Sequence, residues 1–255
     1  MIFITGDTHS DFSRFTRKNF PEQENLSKDD IVIIAGDFGG IWFGTNDSFR
    51  LKAEKGNLDE LNNRPFTTVF VPGNHENYDR LMSGEFETVM WNGGYAKEIR
   101  PSVYMLLRGE IYNLDGLALF AFGGASSHDV TDGILDPGDP EFKRRIKQLK
   151  QLNKNMYRIR GKSWWEQELP SQEEMDHGLE NLRKHDWKVD CVVTHCAPSS
   201  IQKTLTGFPC DVLTDYLEAV RTRLSYKYWY FGHYHRDLQI NERDTLLYKK
   251  ITRIR

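Results

Sequence analysis

Cysteine is scarce in this sequence: Cys191, Cys196 and Cys210 are the whole complement in 255 residues, and no Cys-x-x-Cys occurs. An odd number this small excludes a disulfide framework, and the missing pair excludes a zinc knuckle or dithiol redox motif. Nothing approaches the roughly 18 uninterrupted apolar residues that a membrane-spanning helix needs, so no membrane partner is expected. Met1-Ile2-Phe3-Ile4 runs directly into Thr5-Gly6-Asp7, without a basic n-region or an apolar h-region. With so few cysteines, a cytoplasmic location is the expectation. Charge of one sign is also lacking: 34 basic against 37 acidic side chains leave −3. That balance argues against a nucleic-acid coat protein, a basic membrane-surface module or an acidic solvating chain. No internal repeat, low-complexity tract or Pro/Gly/Ser-rich linker divides the chain, so residues 1–255 read as a single domain. Hydrophobic residues at 38% and aromatics at 13% suffice for a core and exclude wholesale disorder.

What the chain does have is a rhythm of short apolar runs. Ile2-Phe3-Ile4-Thr5 leads into Gly6-Asp7, Ile31 to Ala35 into Gly36-Asp37, and Thr67 to Val71 into Pro72-Gly73-Asn74-His75. Leu117 to Phe122 precedes Gly123-Gly124, Val189 to Thr194 precedes His195, and Tyr228 to Phe231 precedes Gly232-His233. Continuous runs of this kind predict strands buried on both faces, as in sheets covered by helices. Helical periods lie between them. Ser171 and Glu174 have capping-box spacing ahead of Met175, Leu179 and Leu182. Asp139-Pro140 predicts a cap and first turn for a helix with Phe142, Ile146 and Leu149 as its stripe. Val212, Tyr216, Leu217, Val220 and Leu224 form a third stripe, and His177 and His185 fall on predicted helix without needing a function. Asn92-Gly93-Gly94 and Asn113 to Gly116 read as turns. The order is βαβαβ, a strand-rich middle, a helical segment and βαβ, which predicts a layered α/β domain. Residues 125–170 break the rhythm and read as an insertion.

Ligand-bearing residues collect where the strands end, the place at which open α/β sheets gather their sites. Asp7-Thr8-His9 holds a carboxylate and an imidazole two apart, and His233-Tyr234-His235 holds two imidazoles at the same spacing, which an extended backbone points to one side. Gly73-Asn74-His75-Glu76 follows a strand and a proline, and its glycine is expected to permit a tight turn. Asp37 and His195 complete the set. Carboxylate, imidazole and amide oxygen together suit divalent transition metals, with manganese first and iron, zinc or nickel as alternatives. Each element alone is a weak signal. Five of the eight histidines standing at strand ends in glycine-bearing motifs is not.

The series Asp7-x-His9, Gly36-Asp37, Gly73-Asn74-His75-Glu76, His195, Gly232-His233-x-His235 resembles the motif set of the calcineurin-like metallophosphoesterase superfamily and spans nearly the whole chain. The resemblance implies a four-layer αββα sandwich with two metal ions at the carboxyl ends of the strands. It further implies that Asp7, His9, Asp37 and His235 bind one ion, and that Asp37, Asn74, His195 and His233 bind the other. His75 would stand near the leaving group or the phosphate without binding metal, as the catalytic residue that protonates the departing alkoxide or stabilises its charge. Such a pair, roughly 3.5–4 Å apart, supplies a metal-bound hydroxide that attacks a phosphomonoester or phosphodiester. The alternative is a non-catalytic interaction protein that keeps the fold, although such relatives lose ligands that this chain retains.

Substrate identity is written less plainly. Serine/threonine protein phosphatases of that superfamily, and its diadenosine-polyphosphate hydrolases, carry Asp-Arg shortly after the second motif. Gly36-Asp37-Phe38-Gly39-Gly40-Ile41-Trp42 has neither residue, which argues against both. A small phosphoester or a nucleotide is the expected substrate, and nucleic acid is a weaker candidate partner that rests on one basic stretch. That stretch, Lys143 to Lys162, holds nine bases (Lys143, Arg144, Arg145, Lys147, Lys150, Lys154, Arg158, Arg160, Lys162) and no acid. It reads first as a solvated helix face and second as a patch that steers polyanions. Ser126-Ser127-His128-Asp129 reads as a loop near the site, Trp164-Trp165 as an anchor for the insertion. Cys191 is expected inside a strand, and Cys196, next to His195, close to the metals.

Overall fold

The computed structural model describes all 255 residues. From the amino terminus the chain forms β1 (Ile2–Thr5), β2 (Ile31–Ile34), α1 (Ser48–Asn62), β3 (Thr67–Phe70) and α2 (Tyr78–Met82). The strand-rich middle follows as β4 (Glu87–Trp91), β5 (Gly94–Arg100), β6 (Val103–Leu106), β7 (Ile111–Leu114) and β8 (Leu117–Phe122). Next come β9 (Gly133–Leu135), α3 (Phe142–Gln151), β10 (Tyr157–Ile159), α4 (Gln172–Lys184) and β11 (Cys191–Thr194). The last elements are α5 (Ser199–Leu205), α6 (Val212–Arg223), β12 (Tyr228–Phe231), β13 (Leu238–Gln239), β14 (Asp244–Leu246) and β15 (Thr252–Arg253).

Two main sheets result. One has the order β15-β1-β2-β3-β6-β5-β4, the other β13-β14-β12-β11-β8-β7. In each, four neighbouring strands run parallel and antiparallel strands close the edges. Alternation along every apolar run divides it between two cores. Ile2, Ile4, Ile31, Ile33 and Val69 from the first sheet meet Leu119, Ala121, Cys191, Val193 and Tyr230 from the second. The intervening residues Phe3, Val32, Ile34 and Phe70 face outward with Leu58 and Leu61 of α1. On the far side Phe120, Phe122, Val192, Trp229 and Phe231 face Met175, Leu182, Ile201, Leu213 and Leu217 of α4, α5 and α6. Three cores between four layers make an αββα sandwich. This is why the runs are apolar at every position: both faces of each central strand are covered.

All six anticipated strands form. The capping box at Ser171 forms with Glu174, and the turns at Asn92-Gly93 and Asp115-Gly116 are two-residue hairpin loops with positive φ at both positions. Other expectations are corrected. No α-helix joins β1 to β2; the link contains two short 3-10 turns, Phe12–Phe15 and Pro21–Asn25, the second opened by its proline. Asp139-Pro140 does not begin α3, which starts at Phe142 after Glu141 with no side-chain cap. The stripe of Phe142, Ile146 and Leu149 is only half-buried, because α3 enters none of the three cores. Tyr216, Leu217, Val220 and Leu224 are buried as the stripe predicts, but Val212 is 49% exposed, and Leu213, three residues before Tyr216 and four before Leu217, takes its place on that face.

Between β8 and α4 the chain leaves the sandwich. β9 and β10 pair in parallel with each other alone, joined through α3. The basic stretch lies here and is largely answered by acids just before it: Arg144 pairs with Glu141, Arg145 with Asp139, Lys154 with Asp132 and Arg158 with Asp129. Most of its remaining bases are exposed on α3, as expected of a solvated face.

Candidate metal centre

The site is assembled by loops that leave parallel strands of both sheets at the same end. Asp7 and His9 follow β1, Asp37 follows β2, Asn74 and His75 follow β3, His195 follows β11, and His233 and His235 follow β12. The loops are bent sharply enough that five non-glycine residues in them, His9, Ser10, Asp37, His233 and His235, have positive φ between 43° and 71°. Each such residue costs on the order of 1 kcal/mol in an L-amino acid, and concentration at one place marks a site whose geometry is over-determined by its surroundings.

The carboxylates tie the two sheets together. Asp7 accepts the backbone N–H of His233 at 3.0 Å through Oδ1, linking β1 to the β12 loop. Asp37 Oδ1 accepts the backbone N–H of His75 at 2.8 Å and lies 3.2 Å from His195 Nε2. Gly73 is required at this point by space and not, as anticipated, by a turn: its φ is not positive, but a Cβ would stand 2.1 Å from Asp37 Oδ1. Gly36 answers both demands, with φ +91° and a Cβ position only 2.0 Å from His195 Nδ1.

Two groups of donors result. Asp7, His9, Asp37 and His235 converge in one, and Asp37, His195 and His233 in the other, each with ligand atoms within 4.8 Å of one another. Asp37 belongs to both. His9 Nε2 and His235 Nε2 are 2.9 Å apart, and Asp7 Oδ2 lies 3.2 Å from His235 Nε2. Asn74 joins the second group, its Oδ1 3.3 Å from His195 Nε2. His75 stands between the groups and the outside, edge-on to His9 at 5.0 Å and stacked on Trp42 at 5.7 Å. Cys196 is not in either group; it is buried in the helix-side core, pointing the other way from its neighbour.

Electrostatics follow from the packing. Burial opposes ionisation of Asp37, but His195, His75 and His9 outweigh it and hold the carboxyl well below the usual carboxylate range. Burial likewise works against protonation of His195, yet the Asp37 and Asp7 carboxylates raise it to about 9. Burial lowers His9 and His75 and takes His233 well below the ordinary imidazole value, with His195 adding to the effect. His235 moves up, chiefly through its contact with Asp7. His195 Nδ1 meets the Ala35 carbonyl at 2.9 Å, and a carbonyl can only accept. Nδ1 therefore carries the proton, and a cation at Nε2 would take the place of the other. His233 Nε2 is buried and has no hydrogen-bond partner in the protein. Such an orphan calls for an explanation, and an electron-pair acceptor supplies one.

Residues 1–237 match the sequence model of the calcineurin-like phosphoesterases. The chain belongs to that family. No curated protein matches it. Among solved structures it is similar to a Staphylococcus aureus protein assigned as a 5′-nucleotidase and crystallised with α-ketoglutarate, at 16% identity and a TM-score of 0.44. That similarity covers 97% of this chain and 48% of the other, so the chain spans about half the length of the structure it matches.

Around this centre stand residues to which the sequence assigned no role. Arg14 donates to the carbonyls of Gly6, Asp7 and Tyr248 and braces the first motif from behind. Glu76, fully buried, accepts the N–H groups of Phe38 and Gly39 and so shapes the loop that presents Asp37. Its position inside Gly73-Asn74-His75-Glu76 was the available signal. Ser127 and Asp129 reach in from the loop that the sequence placed near the site, and Arg158 and Glu168 from further along the same segment, where no motif announced their role. His128 stacks on Phe208 at 3.7 Å and lies 5.1 Å from His233. Two hollows meet at His75. One, of about 430 Å³, is lined by Asp37, Asn74, His128, Phe208 and His233 among others. The second, of about 310 Å³, is lined by His9, Gly39, Trp42 and Phe43.

Proposed function

We propose that this family member is a dinuclear metal-dependent phosphoesterase acting on a small phosphomonoester or phosphodiester. The observation that carries the reading is the pair of donor groups sharing Asp37, one of them containing an imidazole nitrogen that is buried without a partner. Asp7, His9, Asp37 and His235 would hold one divalent ion, and Asp37, Asn74, His195 and His233 the other. Imidazole, carboxylate and amide oxygen in this proportion suit manganese first, with iron, zinc or nickel also compatible. Two such ions would lower the pKa of a water between them and neutralise charge that develops on the phosphate oxygens.

The remaining work falls to the protein. Asp7 and Asp37 fix the spacing of the two donor groups by gripping backbone N–H groups of the opposite loops. His75 borders both hollows, so a phosphorus placed at the centre has room on either side for a leaving group and a second substituent. From there the imidazole is placed to protonate the departing alkoxide or, as a neutral hydrogen-bond donor, to stabilise its charge, a contribution of about 10²–10⁴-fold. The alternative of a fold-retaining interaction protein has no supporting feature, since every ligand position is filled. Hydrolysis of mono- and bis-p-nitrophenyl phosphate with Mn²⁺, before and after chelation, tests the proposal. Metal-stimulated turnover is expected, and its ratio between the two esters separates phosphatase from diesterase. Absence of metal-dependent turnover on both esters would sink it.

A further inference from the structure

The segment between β8 and α4 carries none of the motifs, yet it touches the centre of the site at two consecutive residues. Asn74 Nδ2 donates to Ser127 Oγ at 3.2 Å, and Ser127 Oγ donates to Glu168 Oε2 at 2.8 Å. The Ser127 backbone N–H and the Trp164 indole N–H each donate to Glu168 Oε1 at 2.9 Å. Asn74, Ser127 and Glu168 are all buried. At the next residue, Arg158 Nη2 lies 3.3 Å from His75 Nε2, while Nε and Nη2 of the same guanidinium hold the Asp129 carboxylate.

We infer that this segment is a positioning element, in which Ser127 and Glu168 set the Asn74 amide and Asp129 and Arg158 set the His75 ring. The inference rests on the metal-centre reading above. An asparagine amide offers a cation only its oxygen, so which end faces His195 decides whether Asn74 is a ligand at all. Ser127 has one proton, and above about pH 7 the ionised Glu168 carboxylate takes it. Ser127 Oγ can then only accept from Asn74, and a reversed amide would set two oxygen lone pairs against each other in a buried place. The Asn74 oxygen is thereby turned towards His195. The second arm works by the same kind of exclusion. A guanidinium donates and never accepts, so His75 Nε2 must be the accepting nitrogen and the ring proton sits on Nδ1. Asp129 in turn keeps Arg158 in place through two parallel hydrogen bonds.

The test uses the full chain loaded with Mn²⁺. Calorimetric titration of the metal-free protein is expected to show two sites in the wild type. In Ser127→Ala one of them should weaken by roughly ten- to a hundredfold, the usual consequence of losing an outer partner of a metal ligand. Ser127→Thr, which keeps the hydroxyl, should restore it. Glu168→Gln provides the same readout if Ser127→Ala does not fold. Arg158→Ala should keep both sites, lose turnover mainly in kcat, and show by ¹⁵N NMR a His75 ring that no longer rests in the Nδ1–H form. Wild-type affinity at both sites in Ser127→Ala and Glu168→Gln would overturn the first arm, and an unchanged His75 tautomer with unchanged kcat in Arg158→Ala the second. Failure of the metal reading itself would show in the wild type, as no Mn²⁺ bound before any variant is compared.

Discussion

The two donor groups that share Asp37 are built differently. In the first, the side chains of His9 and His235 are 32% and 51% exposed and hang from loops with positive φ. In the second, His195 is fully buried, its Nδ1 fixed by the Ala35 carbonyl, and Asn74 is locked from behind by Ser127 and Glu168. The first half is open at its two imidazoles, and the second is closed around His195 and Asn74. A ligand that must be desolvated and ordered on binding gives part of its affinity to that ordering, whereas a preorganised ligand does not. The closed half should therefore hold its ion more firmly, and the open half should exchange.

Asp37 is the position at which that difference can be abolished. Asp37→Asn removes charge from both groups and leaves one amide oxygen, which can still accept the His75 N–H, in place of a carboxylate shared by two ions, so both ions should be lost together. Turnover should fall by roughly a thousandfold or more, the equivalent of the several kcal/mol that metal polarisation supplies. Metal content by atomic emission checks it; retention of one ion would show that the halves are more independent than a shared carboxylate allows. His75→Ala should cost about 10²–10⁴-fold in kcat while both ions stay. A variant that loses metal and keeps activity would place His75 on the wrong side of the chemistry. Graded chelation sharpens the contrast between the halves. Loss of activity should be biphasic, and His235→Ala should remove only the early phase, whereas His233→Ala should remove the late one. A single phase in the wild type would mean that exposure does not distinguish the two halves.

The same contrast governs what could be read from the sequence. Asp7, His9, Asp37, Asn74, His195, His233 and His235 announce themselves because a strand end imposes regular spacing and the proposed metal centre would impose residue type. The layered α/β build was legible for a related reason, since runs such as Ile31 to Ile34 are apolar at every position and must serve two cores at once, whereas the count of four layers came from the family resemblance alone. The supporting residues obey no such rule. Ser127 and Glu168 are 41 positions apart and Arg158 lies 83 beyond His75, so their meeting depends on how β9, α3 and β10 fold back, which leaves no local pattern. Val212 shows the smaller version of that failure: the stripe from Tyr216 to Leu224 is real, and only its first member is Leu213 instead of Val212.

The smallest effect, and the one most specific to the closed half, is a pH dependence of stability carried by Glu168. Burial raises its carboxyl from 4.5 to about 7, although Ser127 and Trp164 donate to it and pull the other way. Between those values the native state keeps a proton that the unfolded state has lost. The contribution is complete below about pH 4.5 and is lost as pH rises through about 7. Because Glu168 is only 3% exposed, little screening by solvent is expected, and the shift corresponds to about 3 kcal/mol at most. Glu168→Gln has no such proton. Denaturant unfolding of metal-free wild type and variant across this range should therefore show the wild type losing about 3 kcal/mol relative to Glu168→Gln as pH rises. A constant difference between them would mean that the carboxyl behind Asn74 is as well solvated as the open half, and the contrast between the two groups would then rest on His195 alone.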